Sequence, residues 1–224
     1  MRVNLMQDEA APSRRRPIFA RLYPAMARAM DEGGMGARRR SLLAGVHGDV
    51  IEVGAGSGAN FVHYPSAVRR VTAVEPEPSL RAEAVCAASG VDVPIDVVSG
   101  TGERLASRDA SADAVVFTLV LCSVRDVRAC LTEARRVLRP GGELRFLEHG
   151  VADSVPIATL QRVMDATVYP TLAGGCHLGR DPRRSITEAG FRITVSERFL
   201  WPQARTPISF HVSGIAVLAG DDGA

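Results

Sequence analysis

The run Val50-Ile51-Glu52-Val53-Gly54-Ala55-Gly56-Ser57-Gly58-Ala59-Asn60 constrains this chain more than any other stretch. Beta-branched Val50, Ile51 and Val53 suit a buried strand. Glycines at alternate positions then allow a sharp turn and a close backbone approach to a ligand, because no Cβ stands in the way. A helix opening after them would aim free N–H groups at that ligand. The spacing Gly54-x-Gly56-x-x-Ala59 also fits a dinucleotide-binding fingerprint, and a plain strand–turn with packing glycines satisfies the motif taken alone. The rest of the chain must decide.

After this loop, residues 71–75 read as a second strand that Pro76 and Pro78 end. A helix over about 79–88 follows, with Ser79 as its cap. Residues 93–98 and 113–118 read as further strands. A helix over about 126–138 stops at the breaker Arg139-Pro140-Gly141-Gly142, and 143–148 form a fifth strand. Strands alternating with helices imply a parallel sheet with right-handed crossovers. Residues 153–190 hold two helical stretches around the loop 172–181. Residues 191–199 and 208–218 then read as strands. Too few residues separate them for a helical crossover, so they form an antiparallel pair.

The N-terminal segment is set apart. Residues 1–16 are polar, carry Arg14-Arg15-Arg16 and predict a disordered tail. Residues 17–30 predict a helix with Ile18, Phe19, Leu22, Tyr23, Met26 and Met30 on one face. Pro24 predicts a break into two short helices. Gly33, Gly34 and Gly36 predict a hinge, and 36–45 a second helix. The division is a basic tail with lid-like helices over 1–45 and a main domain over 46–224. The helix either docks on that domain beside a solvated basic tail, or acts as a lid that makes transient membrane-surface contact through its arginines. The first is favoured, since the basic charges lie beside the apolar face.

A length of 224 residues suffices for one large α/β domain, and a net charge of +2 gives no field that argues for nucleic acid. Cys86, Cys122, Cys130 and Cys176 show no metal-ligand spacing, so no metal is expected. No signal peptide is evident at the start, so reduced thiols in the cytoplasm are the expectation.

In doubly wound sheets the ligand binds beyond the carboxyl ends of the strands, beside the first one. The glycine loop, Glu75, Thr101-Gly102, Thr118-Leu119 and Glu148-His149 fall there. Glu75 follows the first glycine by about 20 residues, where a carboxylate can accept the hydroxyl protons of an adenosine ribose.

The pattern resembles the class I methyltransferases that use S-adenosylmethionine. Residues Glu52 to Gly58 are similar to their first motif. Glu75 matches the ribose-binding acid, Gly100-Thr101-Gly102-Glu103 the adenine-side loop, Asp113 to Val116 the fourth motif, and Arg136 to Gly142 the lead into strand five. The resemblance implies a Rossmann-like, seven-stranded sheet, mostly parallel with an antiparallel last strand. It implies S-adenosylmethionine as cofactor and S-adenosylhomocysteine as product. The cofactor positions are Glu52, Gly54, Ala55, Gly56, Gly58 and Asn60 in the first loop, Glu75 and Pro76 after strand two, and Thr101, Gly102, Thr118 and Leu119 further on. Thr101 stands where an acid is usual, which leaves adenine contact to the backbone.

A narrower resemblance, to small-molecule thiol methyltransferases, rests on residues 118–124, Glu148-His149, residues 175–180 and residues 211–216. It implies S-methylation of a small apolar thiol. A thiolate needs only a modest pKa shift near neutral pH, and a nearby imidazole can take the proton. His149, His177 and His211 are the candidate bases, with His149 first by its strand-end position; each could equally be a backbone-bonded structural histidine. Asp165, Tyr169, Cys176 and Arg180 are candidates for the acceptor pocket, with Arg180 and Asp181 pairing over it. Methyl transfer to oxygen or nitrogen of a lipid-like or secondary-metabolite acceptor, a nicotinamide-dependent reductase and a non-catalytic cofactor-binding module are the alternatives. The sequence is silent on oligomeric state.

Overall fold

A computed structural model describes residues 17–220, so the expected tail over 1–16 lies outside the described residues. The sheet comprises β1 (Gly48–Val53), β2 (Val68–Val74), β3 (Ile95–Val98), β4 (Ala112–Thr118), β5 (Leu138–His149), β6 (Phe191–Leu200) and β7 (Phe210–Leu218). Their spatial order is β3-β2-β1-β4-β5-β7-β6. β7 runs antiparallel to both β5 and β6 while the other pairings are parallel. The expected seven-stranded sheet with one reversed strand, the last in sequence, is the observed one.

The helices are α1 (Pro17–Met30), α2 (Gly36–Leu43), α3 (Pro78–Ala88), α4 (Val127–Val137), α5 (Val155–Asp165), α6 (Tyr169–Leu172) and α7 (Pro182–Glu188). Among the described residues no helix is long and apolar enough to cross a membrane. Strand alternation sends Ile51 and Val53 into one apolar layer with Phe117, Leu131 and Phe146. It sends Val50, with Glu52, into the other, beside Phe61, Tyr64 and Val71.

Several local expectations change. α1 passes through Pro24 as one helix. Buried Ala20 and Ala27 dock it on either side of the proline, and this packing outweighs one missing backbone bond. The expected hinge is a packed corner: Asp31–Met35 form a π-type turn with Gly34 at φ 109°, and Met35 is fully buried. No α-helix follows the glycine loop. A single 3-10 turn, Phe61–His63, ends at Tyr64, which is extended before Pro65. Ser79 is not the cap of α3. Pro78 takes the first turn, Glu77 the cap position, and the Ser79 hydroxyl bonds Glu77 Oε1 at 3.3 Å. β5 starts at Leu138, the last residue of the expected helix, and runs on through the expected breaker, where Gly141 at φ 77° accompanies the register shift before Glu143.

Buried Arg145 on β5 fastens α2 to the sheet. Its NH1 donates to the Leu42 and Ala44 carbonyls, each at 2.7 Å, and its NH2 to Glu143 Oε2 at 2.7 Å. The carbonyls that end α2 therefore have partners.

Candidate active site

The glycine loop turns through left-handed backbone at Gly54 (φ 69°) and Gly56 (φ 58°). A Cβ at Gly56 would stand 2.9 Å from the Tyr23 ring, and one at Gly54 2.5 Å from Val120. Glu75 Oε2 accepts from the Gly56 N–H at 2.8 Å, and Oε1 from the Glu77 N–H at 2.8 Å. Burial pushes this carboxyl up, and those two backbone bonds oppose the shift. Each oxygen keeps a further lone pair for a ligand hydroxyl. Gly58 and Gly102 face inward. A Cβ on Gly58 would meet Phe61 and Ala87, and one on Gly102 would meet Val53 and Cys130. Ala55 is buried, with its N–H bonded to Val74, and the Pro76 carbonyl accepts from Arg81. Thr101 pairs with Arg104 in an isolated bridge.

Beneath the loop runs a buried polar chain. Glu52 accepts from Asn60 Nδ2 at 3.0 Å and from the Tyr64 hydroxyl at 2.8 Å. Asn60 Nδ2 also donates to Thr118 Oγ1 at 3.0 Å, and Asn60 Oδ1 accepts from Arg39 at 3.0 Å. Arg39 in turn donates to Asp31 at 2.9 Å. Burial pushes the Glu52 carboxyl up to about 7, against the Tyr64 and Asn60 hydrogen bonds. Glu52, Asn60 and Thr118 thus hold the loop from below. Arg39, the middle one of three consecutive arginines, is 3% exposed and completes the chain.

At the end of β4, Leu119 adopts φ 58°, unusual for a bulky side chain and costing on the order of 1–3 kcal/mol. Its neighbours enforce the turn. The Leu119 N–H donates to the Leu147 carbonyl at 2.7 Å, and buried Glu148 accepts from Val120 N at 2.9 Å, Leu121 N at 3.0 Å and Cys122 N at 3.3 Å. Burial holds the Glu148 carboxyl at about 7 despite these bonds.

Three of the sequence candidates lie around that turn. His149 Nδ1 faces Cys176 Sγ at 3.4 Å, and Cys122 lies against the same sulfur. The hydrogen bond with Cys122 and then the His149 ring hold the Cys176 thiol at about 5, against burial. Burial tends to lower the His149 pKa, but the Cys176 sulfur, its charge and Glu148 leave it raised. His149 therefore already engages a sulfur of the protein. His177 is turned to its own loop, with Nδ1 against the Gly175 carbonyl at 2.8 Å. His211 Nδ1 bonds the Ser209 carbonyl at 3.0 Å; burial, and then the neighbouring His149, hold its pKa at about 3.

The acceptor-pocket candidates build the loop 172–181. Asp165 accepts from the Leu178 and Gly179 N–H groups at 2.7 and 2.8 Å. Arg180 does not close over the site with Asp181. It donates to the Leu121 and Val124 carbonyls at 2.6 and 2.8 Å, while Asp181 caps α7. Tyr169 packs with Cys122, Cys176 and Leu178.

α1 spans the site. Tyr23 lies against Gly56, and Phe19 lies against Gly174. Burial raises the Tyr23 pKa; Arg39 opposes this, and both Glu75 and Cys122 add to it. Tyr23 thus covers the same Gly56 whose N–H Glu75 accepts from. The expected apolar face of α1 is divided, since Leu22 and Met26 remain exposed.

This sheet, with its glycine loop, strand-end acid and covering helix, defines a class I S-adenosylmethionine-dependent methyltransferase. The family model for a methyltransferase domain matches residues 51–146. A relative, thiol S-methyltransferase TMT1B of Mus musculus, is 35% identical over 215 residues, 90% of this chain and 88% of that one. Thiol S-methyltransferase TMT1A of Homo sapiens is 30% identical over 223 residues, 97% of this chain and 83% of that one. The chain belongs to the family of these relatives. A solved S-adenosylmethionine-dependent methyltransferase of Thermotoga maritima, titled a possible histamine N-methyltransferase, superposes with a TM-score of 0.65. It covers 89% of this chain and 97% of that one at 20% identity, which supports the fold alone.

Proposed function

We propose that this enzyme transfers the methyl group of S-adenosylmethionine to a small apolar thiol. The observation that carries the acceptor class is the likeness to proteins named thiol S-methyltransferases across most of the chain. The residues fit the cofactor. Gly54 and Gly56 hold the loop in left-handed turns packed under Val120 and Tyr23 with no room for a Cβ, and Glu75 has lone pairs for the ribose hydroxyls. Thr101, after β3, and Leu119, after β4, are the remaining strand-end candidates for the rim. The cofactor supplies a methyl already activated on a sulfonium. The protein's part is to align a thiolate with that methyl and exclude water. Phe19 and Tyr23 on α1 suit the second task, since they cover the two loops. Exposed Leu22 and Met26, beside Arg21 and Arg28, support a transient contact with an anionic membrane surface. Co-sedimentation with vesicles that falls at high salt would bear this out.

A labelled-methyl screen over alkyl thiols, phenols, amines and lipids tests the acceptor. Transfer to thiols is the expected result; transfer to phenols or amines alone would remove the thiol.

A further inference from the structure

We propose that Cys122, His149 and Cys176 bind one zinc-class metal ion, leaving its fourth position to the acceptor thiol. The thiol part rests on the acceptor reading above; the metal part does not.

The three residues come from different elements: the turn after β4, the end of β5 and the loop before α7. Their ligand atoms nevertheless all lie within 4.8 Å of one another, and Cys176 Sγ and His149 Nδ1 are 3.4 Å apart. A tetrahedral zinc ion, with Zn–S about 2.3 Å and Zn–N about 2.0–2.1 Å, sets sulfur and nitrogen roughly 3.6 Å apart. Small side-chain adjustments therefore suffice to close the site.

The surrounding bonds hold the ligands in place, as outer partners do in metal sites. Glu148 fixes the Cys122 backbone through its N–H, and the His177 N–H bonds the Cys122 carbonyl at 2.8 Å. That second bond joins the turn to the loop carrying Cys176. Asp165 and Arg180 tie the same loop down on either side. Two thiolates and an imidazole select zinc over magnesium or calcium, and three protein ligands leave an open position.

The turn that carries Cys122 lays Val120 against Gly54, and α1 lays Tyr23 on Gly56 and Phe19 on Gly174, so one helix covers both the glycine loop and the loop of Cys176, and the open position faces the space between them. There an acceptor thiol loses its proton to solvent on binding the ion. Its sulfur lone pair then forms a bond to the methyl carbon as the carbon–sulfonium bond breaks. The electron pair of that bond stays with S-adenosylhomocysteine, and the neutral thioether, a weaker ligand, leaves. No oxidant or reductant enters.

The test uses the full chain, with thiols kept reduced by a phosphine. Elemental analysis after zinc loading and gel filtration should give one equivalent per chain. Cobalt loading should give thiolate-to-cobalt charge-transfer bands that shift when 2-mercaptoethanol is added. Cys122→Ser and Cys176→Ser should each weaken zinc binding by more than the roughly 10–100-fold that outer-partner changes cost. Calorimetry with S-adenosylhomocysteine checks that each variant is folded. Cys86→Ser, at an exposed cysteine far along the chain, should bind zinc as wild type does. No stoichiometric metal on the reduced wild type, undiminished zinc affinity in folded Cys122→Ser and Cys176→Ser, or cobalt bands indifferent to the thiol would each overturn the proposal. Metal binding is read without turnover. A chain that methylates thiols but binds no cobalt refutes the metal site and spares the methyl-transfer reading.

Discussion

Gly56→Ala probes the contact between the covering helix and the cofactor loop. At φ 58° an alanine pays the left-handed penalty, about 1–2 kcal/mol. Its Cβ would also stand 2.9 Å from the Tyr23 ring, so that ring and α1 must shift. Overpacking of this kind costs typically 1–3 kcal/mol. The two effects differ in how they respond to a second change. Tyr23→Ala removes the steric part and leaves the backbone part. A double-mutant cycle by urea unfolding should therefore show a coupling of about 1–3 kcal/mol, with the double variant losing less than the sum of the singles. Affinity for S-adenosylhomocysteine, measured by calorimetry, should fall in Gly56→Ala and recover only partly in the double variant. Additive stabilities, with coupling below the usual 0.3–0.5 kcal/mol for independent sites, would refute the placement of Tyr23 on the loop.

Glu75→Ala should weaken S-adenosylhomocysteine binding by about 1.5–3 kcal/mol, the range for hydrogen bonds to a charged group, and calorimetry reads it directly. Thermal stability should fall too, because the Gly56 and Glu77 N–H groups lose their acceptor. Glu52, pushed up to about 7 when folded, keeps a proton that the unfolded chain releases near 4.5. Its contribution is present in full below about 4.5 and lost as pH rises through 7, on the order of 3 kcal/mol. Urea unfolding at pH 5 and pH 8 should show this slope in wild type and a flatter one in Glu52→Gln. Arg145→Met should destabilise by about 3 kcal/mol or more, since it strands the Leu42 and Ala44 carbonyls and the Glu143 carboxylate. Unchanged urea midpoints would contradict that anchoring role. Removal of residues 1–30 should raise the acceptor's Michaelis constant more than it weakens cofactor binding, because it removes Phe19 and Tyr23; steady-state kinetics and calorimetry on one preparation compare the two.

Signals carried by neighbouring residues were enough for the sheet, its reversed strand and the positions of the glycine loop and Glu75. Strand period, glycine spacing and a loop too short for a crossover are local properties, and the chain alone determines them. Even there, boundaries moved where packing intervened: Pro24 stays inside α1, and the segment after the loop makes one 3-10 turn because Pro65 follows. The site's polar interior belongs to tertiary structure. Arg39 looks like one of three consecutive arginines, yet folding of α2 under the loop buries it against Asn60 and Asp31. Arg180 and Asp181 look like a pair, yet each satisfies backbone groups of a different element. Cys122, His149 and Cys176 carry no ligand spacing, because a parallel sheet gathers strand ends that lie far apart along the chain. Their approach to within 4.8 Å follows from β4 and β5 being neighbours and from the loop before α7 being bonded across both, which no local pattern records.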